Sequence, residues 1–357
     1  MKKLIALVLC LLMVTAMFAG CAKQAATTET PADTSATTDA AAADTAGAET
    51  PASTNTTNSD VRLSLGTSSL GGNFFTMGAA MAAVFMDDYG YSVTAQATNG
   101  SGANIVSVLD KELDLGMAQA NSIASAAEGT GQFEGNQIAA DSGVCTLFNW
   151  NSTPVHILVR RSLGVDNLED LAKLSGLKVE CMNPGDGFED MAKKFTETFG
   201  FTNPSFEYSG SRVQLASRLK NGEIDVTFDG TGLGSSWMAD VIGDGSDFML
   251  LSLTDEQTDL LCGKYSEMTK LTIPAGTYGN QTEDVKTIAN GQLMVTRADA
   301  DEELVYQMVK AVFENLPELS ILHTALADMS VEEAIEVSGI QLHPGAERYY
   351  KEVGILG

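Results

Sequence analysis

Apolar positions change period several times along this chain. Val61, Leu63 and Leu65 alternate with polar residues and stop at Gly66, which predicts a strand. The run Thr67 to Gly72 is rich in Ser and Gly and predicts a turn. From Phe74 to Met86 the apolar and small residues Phe74, Met77, Gly78, Met81, Val84 and Phe85 recur at helical spacing, with Asn73 as the expected N-cap. The order then repeats: a strand over Ser92 to Ala97, a helix over Ala103 to Leu109 and a strand over Leu113 to Ala118. Such a βαβαβ run implies parallel strands joined by helices. A second series follows Val155 to Arg160, an apolar strand. Strands are expected at Leu177 to Met182, Glu223 to Phe228, Phe248 to Leu253 and Gln292 to Thr296, with helices at Phe188 to Phe199, Val213 to Lys220 and Asp301 to Leu316. Two α/β lobes, each with a mixed and largely parallel sheet, are the simplest account.

Ahead of this pattern lies different material. Lys2 and Lys3 precede an uncharged run from Leu4 to Phe18, and Ala19 and Gly20 directly precede Cys21. This order predicts a secretion signal over residues 1–20. Small residues abutting a cysteine resemble the lipobox of bacterial lipoproteins, so Cys21 is the expected lipidation site and the membrane anchor. Residues 21–59 are nearly all Ala, Thr, Ser, Asp and Glu, without aromatic or large aliphatic side chains, and predict a disordered tether. As a random coil it reaches roughly 35 Å.

The formal charge is −26, from 21 basic and 47 acidic residues. Three of the basic and five of the acidic residues precede Asp60, which leaves the folded part at a net −24. So acidic a surface excludes nucleic acid as the expected partner, because phosphate contacts need a basic face. The folded part keeps Cys145, Cys181 and Cys262, an odd number without CxxC or Cys/His metal spacing. Buried free thiols are expected, with a Cys145 to Cys181 bridge as the alternative.

In open parallel sheets ligands bind beyond the carboxyl ends of the strands, where helix N-termini and loop amides converge. Here those ends share a composition: Thr67, Ser68, Ser69, Gly71 and Gly72; Thr98, Asn99, Gly100 and Ser101; Asn183, Gly185, Asp186 and Gly187. Glycine admits close approach of a ligand to backbone amides, and short polar side chains add donors and acceptors. A phosphate-binding GxGxxG or GKS/GKT and a nucleophile elbow GxSxG are missing from the sequence. His156 sits inside an apolar strand, and His323 and His343 lack ligand spacing, so structural roles are expected for all three. Asp186, Glu189, Asp190 and Asp229 near loop ends are the only candidates for an acid and base pair, and water-facing carboxylates are the plainer reading. No cofactor and no metal are expected, and the chain reads as a non-enzyme.

The loop segments together resemble the TAXI family of solute-binding proteins of TRAP transporters. The resemblance rests on Gly66-Thr67-Ser68-Ser69-Leu70-Gly71-Gly72-Asn73-Phe74-Phe75-Thr76-Met77-Gly78, Ala97-Thr98-Asn99-Gly100-Ser101 and Asp114-Leu115-Gly116-Met117-Ala118-Gln119. Pro154-Val155-His156-Ile157-Leu158-Val159-Arg160, Asn221-Gly222-Glu223-Ile224-Asp225 and Ile273-Pro274-Ala275-Gly276-Thr277-Tyr278 continue it through the folded region. Where the family usually reads Gly-Gly-Thr-Tyr-Tyr, this chain has Gly71-Gly72-Asn73-Phe74-Phe75. Where the family's second lobe reads Gly-Ser-Gly, it has Gly185-Asp186-Gly187. Family members are associated with dicarboxylates and glutamate-like compounds, and a carboxylate at Asp186 repels an acid, which leaves room for an amine-bearing solute.

The resemblance implies a two-lobed clamshell of the second periplasmic-binding-protein type. Lobe one is then expected at 60–155 plus 291–357 and lobe two at 156–290. The chain would act as an extracytoplasmic monomer that captures a small polar solute, an amino acid or organic acid, and delivers it to TRAP permease subunits driven by an ion gradient. The expected ligand contacts are Ser69, Gly72, Asn73, Phe74, Asn99, Ser101, Gln119 and Trp150 from the first lobe, with Asn183, Asp186, Gly187 and Asp229 from the second. A surface receptor using the same fold to signal to a sensor kinase is the alternative.

Overall fold

The computed structural model describes residues 60–70, 72–135, 143–243, 245–335 and 341–357, all within one compact unit. The expected signal, Cys21 and the tether lie outside the described residues, as does Gly71.

In the first lobe β1 (Arg62–Gly66), β2 (Ser92–Gln96) and β3 (Leu115–Gln119) are joined by α1 (Asn73–Tyr89) and α2 (Ser101–Leu109), and α3 (Ala120–Glu128) follows β3 without a gap. β1 pairs in parallel with both β2 and β3. Helix α1 buries Met77, Gly78, Met81, Val84 and Phe85, the stripe its periodicity predicts, and Gly90 ends it at a left-handed φ of 70° that glycine adopts without steric cost. Its start differs from expectation. Gly72 is the N-cap and Asn73 the first helical residue, with no side-chain cap.

The second lobe repeats this plan with β5 (Lys178–Glu180), β6 (Ser205–Glu207) and β7 (Val226–Gly230), again parallel around β5. Between them run α5 (Gly187–Thr198) and α6 (Arg212–Lys220), after α4 (Leu168–Lys173). α7 (Ser236–Val241), β8 (Phe248–Leu250), α8 (Asp255–Lys264) and β9 (Met268–Ile273) complete it.

Two long strands join the lobes. β4 (Val144–Arg160) and β10 (Val285–Arg297) lie antiparallel, so that the strand order is β2-β1-β3-β10-β4-β7-β5-β6, with β8 on β4 and β9 on β10. The sequence predicts only the C-terminal part of each strand, Val155 to Arg160 and Gln292 to Thr296. Their middles, Asn149 to Pro154 and Asn290 to Gln292, carry the polar residues that ordinarily mark a loop. The chain closes with α9 (Glu302–Glu314), α10 (Leu316–Leu322) and α11 (Pro344–Glu352), of which α9 and α10 break the single helix expected up to Leu316.

The buried side chains fall on either side of that polar belt. One set gathers Leu65, Met81, Phe85, Met117, Phe148 and Tyr350, the other Val155, Ile157, Val179, Phe195, Phe228 and Ile288. In the second, the Phe195 and Phe228 rings stack at 4.6 Å, a contact worth about 0.5–1.5 kcal/mol beyond area burial. Cys145, Cys181 and Cys262 are free thiols, the first two buried. No helix among the described residues is long and apolar enough to cross a membrane.

Candidate ligand site between the lobes

The polar belt of β4 and β10 forms the floor of a cavity of about 90 Å³ between the lobes, room for a small solute and not for a macromolecule. Asn151, Thr153 and Trp150 of β4 and Gln292 of β10 all face it. Strict alternation would turn Trp150 away from its neighbour Asn151. The register slips at this point, Gln292 pairing with Asn151 and Leu293 with Asn149, so Trp150 is the extra residue of a bulge that aims it into the cavity. Hydrogen bonds fix the floor: Asn149 Oδ1 accepts from the backbone N–H of Gln292 at 3.0 Å, and Gln292 Nε2 donates to Thr153 Oγ1 at 2.9 Å. Gln292 Oε1 and Trp150 Nε1 are buried without a partner.

From the first lobe Ser68, Ser69, Gly72, Asn73 and Phe74 bring the start of α1 to the cavity, and Gly100 and Ser101 bring the start of α2. Neither helix has a side-chain cap or an acidic residue in its first turn. The partial positive charge at both ends is therefore uncompensated by their own side chains. Phe74 meets Trp150 edge to face at 5.4 Å. Ser101 Oγ accepts from the N–H of Gln119 at 3.0 Å, which fixes both lining residues.

The second lobe contributes Met182, Asp186, Phe188 and Arg212, with Gly230 at the end of β7 and Thr231 and Gly232 after it. Asp186 is the N-cap of α5, its Oδ1 accepting from the N–H of Phe188 at 3.2 Å. Burial pushes its carboxyl up to about 7, although that hydrogen bond, Asn183 and the charge of Arg212 pull the other way. Arg212 packs over the rings of Phe188 and Trp237 and pairs with the buried Asp229. That pair is internally neutral, which leaves Asp186 as an ionisable group of the cavity in no ion pair.

The lobes also meet directly beside the cavity. The N–H of Gly102 donates to the Gly185 carbonyl at 3.1 Å. Asn121 Nδ2 donates to the Gly187 carbonyl at 3.0 Å and to Asp190 Oδ2 at 2.7 Å, and Ser125 Oγ donates to Asp190 Oδ1 at 2.7 Å. Asp190 is thus a buried latch whose carboxyl burial holds above its ordinary range. Small residues make the approach possible: a Cβ on Gly187 would lie 2.5 Å from Gln119 Oε1, and one on Gly100 2.9 Å from Asp186 Oδ2.

Of the residues expected from sequence, Ser69, Gly72, Asn73, Phe74, Ser101, Gln119, Trp150 and Asp186 face the cavity together. Four sit elsewhere. Asn99 is exposed beside the loop, and Asn183 turns to Asp186 Oδ2 at 3.4 Å. Gly187 lies in the contact between lobes, and Asp229 stands behind Arg212. Arg212, Thr153 and Gln292 are additions. Arg212 follows Gly210-Ser211, a loop of the same composition as the others, while Thr153 and Gln292 lie within the polar belt. His156 is structural, its Nε2 2.7 Å from the Tyr278 hydroxyl, and burial pushes it down to about 4. Among the described residues no group of three or more His, Cys, Asp or Glu is placed to hold a metal.

Residues 65–354 match the model of the NMT1-like family. The chain belongs to that family. In three dimensions this NMT1-like protein is similar to MatC (Rpa3494) from Rhodopseudomonas palustris with bound malate, at 14% identity and a TM-score of 0.53, covering 82% of this chain and 97% of that one. It is also similar to Rpa4515 of R. palustris with adipate, at 14% identity and a TM-score of 0.50 over 83% and 94% of the two chains. A third is PhnD1 from Prochlorococcus marinus (MIT 9301) with methylphosphonate, at 13% identity and 0.50 over 83% and 99%. At these identities the likeness establishes the fold of the NMT1-like chain, a periplasmic-binding-protein-like α/β clamshell with a mixed sheet.

Proposed function

We propose that this chain is an extracytoplasmic solute-binding lipoprotein of the TAXI type. It captures a small polar solute between its lobes and hands it to the membrane subunits of a TRAP transporter. The reading is carried by one observation: a small cavity with unpartnered polar groups, closed by direct contacts between two lobes that, among the described residues, are joined by two long crossing strands. Strands of that kind bend as a hinge, so that opening admits the solute and closing buries it. Membership in the NMT1-like family and the malate, adipate and methylphosphonate bound by proteins of similar fold agree with capture. The TAXI assignment rests on the loop segments from Gly66 to Gly78 and from Ala97 to Ser101. Cys21 is the proposed lipid anchor, and the chain works as a non-enzymatic monomer without cofactor.

The proposed lobes are residues 60–155 with 291–357, and 156–290. Ser69, Gly72, Asn73, Ser101, Gln119, Asp186 and Arg212 are the proposed ligand contacts. Calorimetry on the purified protein against a library of organic acids, amino acids, amines and phosphonates is expected to find a ligand, and Gln119→Ala to weaken it. Silence across the library would sink capture. Delivery is checked separately, by loss of uptake of that ligand in cells lacking the protein.

A further inference from the structure

Resting on the capture reading, two parts of the cavity lining differ in chemistry. In one, Trp150 Nε1, in a residue only 2% exposed, is a donor without an acceptor. It packs on Phe74 in the first turn of α1, whose start has neither a side-chain cap nor an acid. Both groups ask for an acceptor, and the helix end favours one with negative charge. Elsewhere in the lining the need is reversed. Gln292 Oε1 is buried without a donor. Asp186, 6% exposed, receives one backbone N–H and a long 3.4 Å contact from Asn183, and forms no ion pair. Its neighbour Arg212 spends its charge on Asp229.

We propose that the cavity takes a zwitterion with no net negative charge, its ammonium against Asp186 and its anionic group at the start of α1 beside Trp150. A cation supplies what the lining leaves out, an ion-pair partner for a buried carboxyl that has none. A dicarboxylate would add a second negative charge next to it in a low-dielectric space. Asp186 is thereby the residue that sets specificity, and the Gly-Asp-Gly loop reads as a switch away from acids.

The test is thermal shift and calorimetry on the purified protein, with the twenty L-amino acids, succinate, malate and putrescine as probes. A neutral amino acid is expected to bind, and succinate and malate are not. Asp186→Asn keeps the N-cap and the fold, and is expected to weaken that amino acid on the order of tenfold to a hundredfold; Asp186→Ser, also a good cap, should do the same. Trp150→Phe should weaken it less. Tighter binding of succinate or malate than of every amino acid would overturn the proposal and leave capture standing, as would an amino acid indifferent to both Asp186 variants. Failure of all these probes while another compound from the wider library binds would overturn it too.

Discussion

Among the helices that begin at the cleft, α1 and α2 in lobe one and α5 and α6 in lobe two treat their first turns differently. In lobe two Asp186 caps α5 and Ser211 caps α6, each through its own side chain. In lobe one α1 and α2 begin at Gly72 and Gly100 and have no such cap. A capped helix is satisfied before anything arrives, whereas an uncapped one keeps its donors for a partner. The start of α2 already meets lobe two, through the Gly185 carbonyl and the Asp186 carboxylate. That leaves α1 for a guest. Lobe two thus caps its own helices at the cleft, and lobe one leaves a helix end open there.

The sharpest way to break this contrast is to remove the charge that lobe two hides. Arg212→Ala leaves Asp229, whose side chain is 1% exposed, without its counter-ion. The expected loss is about 3–5 kcal/mol, towards the lower figure because Arg212 itself is a quarter exposed. Urea unfolding measures it. Asp229→Asn in the same chain should recover much of the loss, and a double variant no better than Arg212→Ala would show that the ring contacts of Arg212 matter more than its charge.

Asp186 offers the next largest effect, read in pH. Its carboxyl moves from an ordinary 3.8 to about 7 on folding, mainly by burial. The folded state then holds a proton that the unfolded state has released, so stability falls as pH rises from about 4 towards 7 and levels off above. The charged groups facing it are Arg212 on α6 and Asp229 on β7, with Asn183 in its own loop. The difference in stability between the wild type and Asp186→Asn should therefore change across that window, on the order of 4 kcal/mol. Equal slopes for the two proteins would mean that the carboxyl stays ionised against α2. Binding of a cation has the opposite dependence and strengthens as pH climbs through 7.

Gly100→Ala separates closure from folding. Gly100 holds φ at 98°, which L residues avoid, and an added Cβ would lie 2.9 Å from Asp186 Oδ2. Backbone strain of about 1–3 kcal/mol is expected in lobe one, together with an obstructed cleft. Small-angle scattering should report a larger radius of gyration, and solute affinity should drop more than stability does. Unchanged scattering and affinity would place the lobe contact elsewhere.

How much of this was legible in the sequence follows from the same physics. The βα loops announce themselves, because Ser, Gly and Asn before a helical stripe mark both a turn and a ligand-facing edge, and eight of the twelve expected contacts face one cavity. The crossing strands are concealed. Asn149, Asn151, Ser152 and Thr153 read as a loop since a strand interior is ordinarily apolar on at least one side. Here one face of the strand brings Asn151 and Thr153 to the ligand cavity, and Asn149 and Ser152 are tied into a hydrogen-bond network. Arg212 is concealed for a different reason. It stands one residue before the first apolar position of its helix, and its pairing with Asp229, seventeen residues on, depends on β7 returning beside α6. Asn99 misleads because a loop's composition does not say which of its side chains points inward.

The capping contrast itself supplies the smaller effects. Ser211→Ala removes a cap and should cost lobe two about 1 kcal/mol. Ser69→Ala removes no cap and should leave stability within about 0.5 kcal/mol, while weakening whatever binds at α1. The last and smallest is a gain. Asn73→Asp puts a carboxylate into the first turn of α1, at an exposed position bordering the cavity. It should stabilise the helix by about 0.3–1 kcal/mol, visible as a slightly raised melting temperature at low salt. The same charge occupies the helix end that a guest's anionic group would use, so affinity should fall as stability rises. Changes in opposite directions from one substitution are what an end left open for a ligand predicts. If both rose together, the missing cap on α1 would be an accident of its loop and the anion would have to be held elsewhere in the cleft.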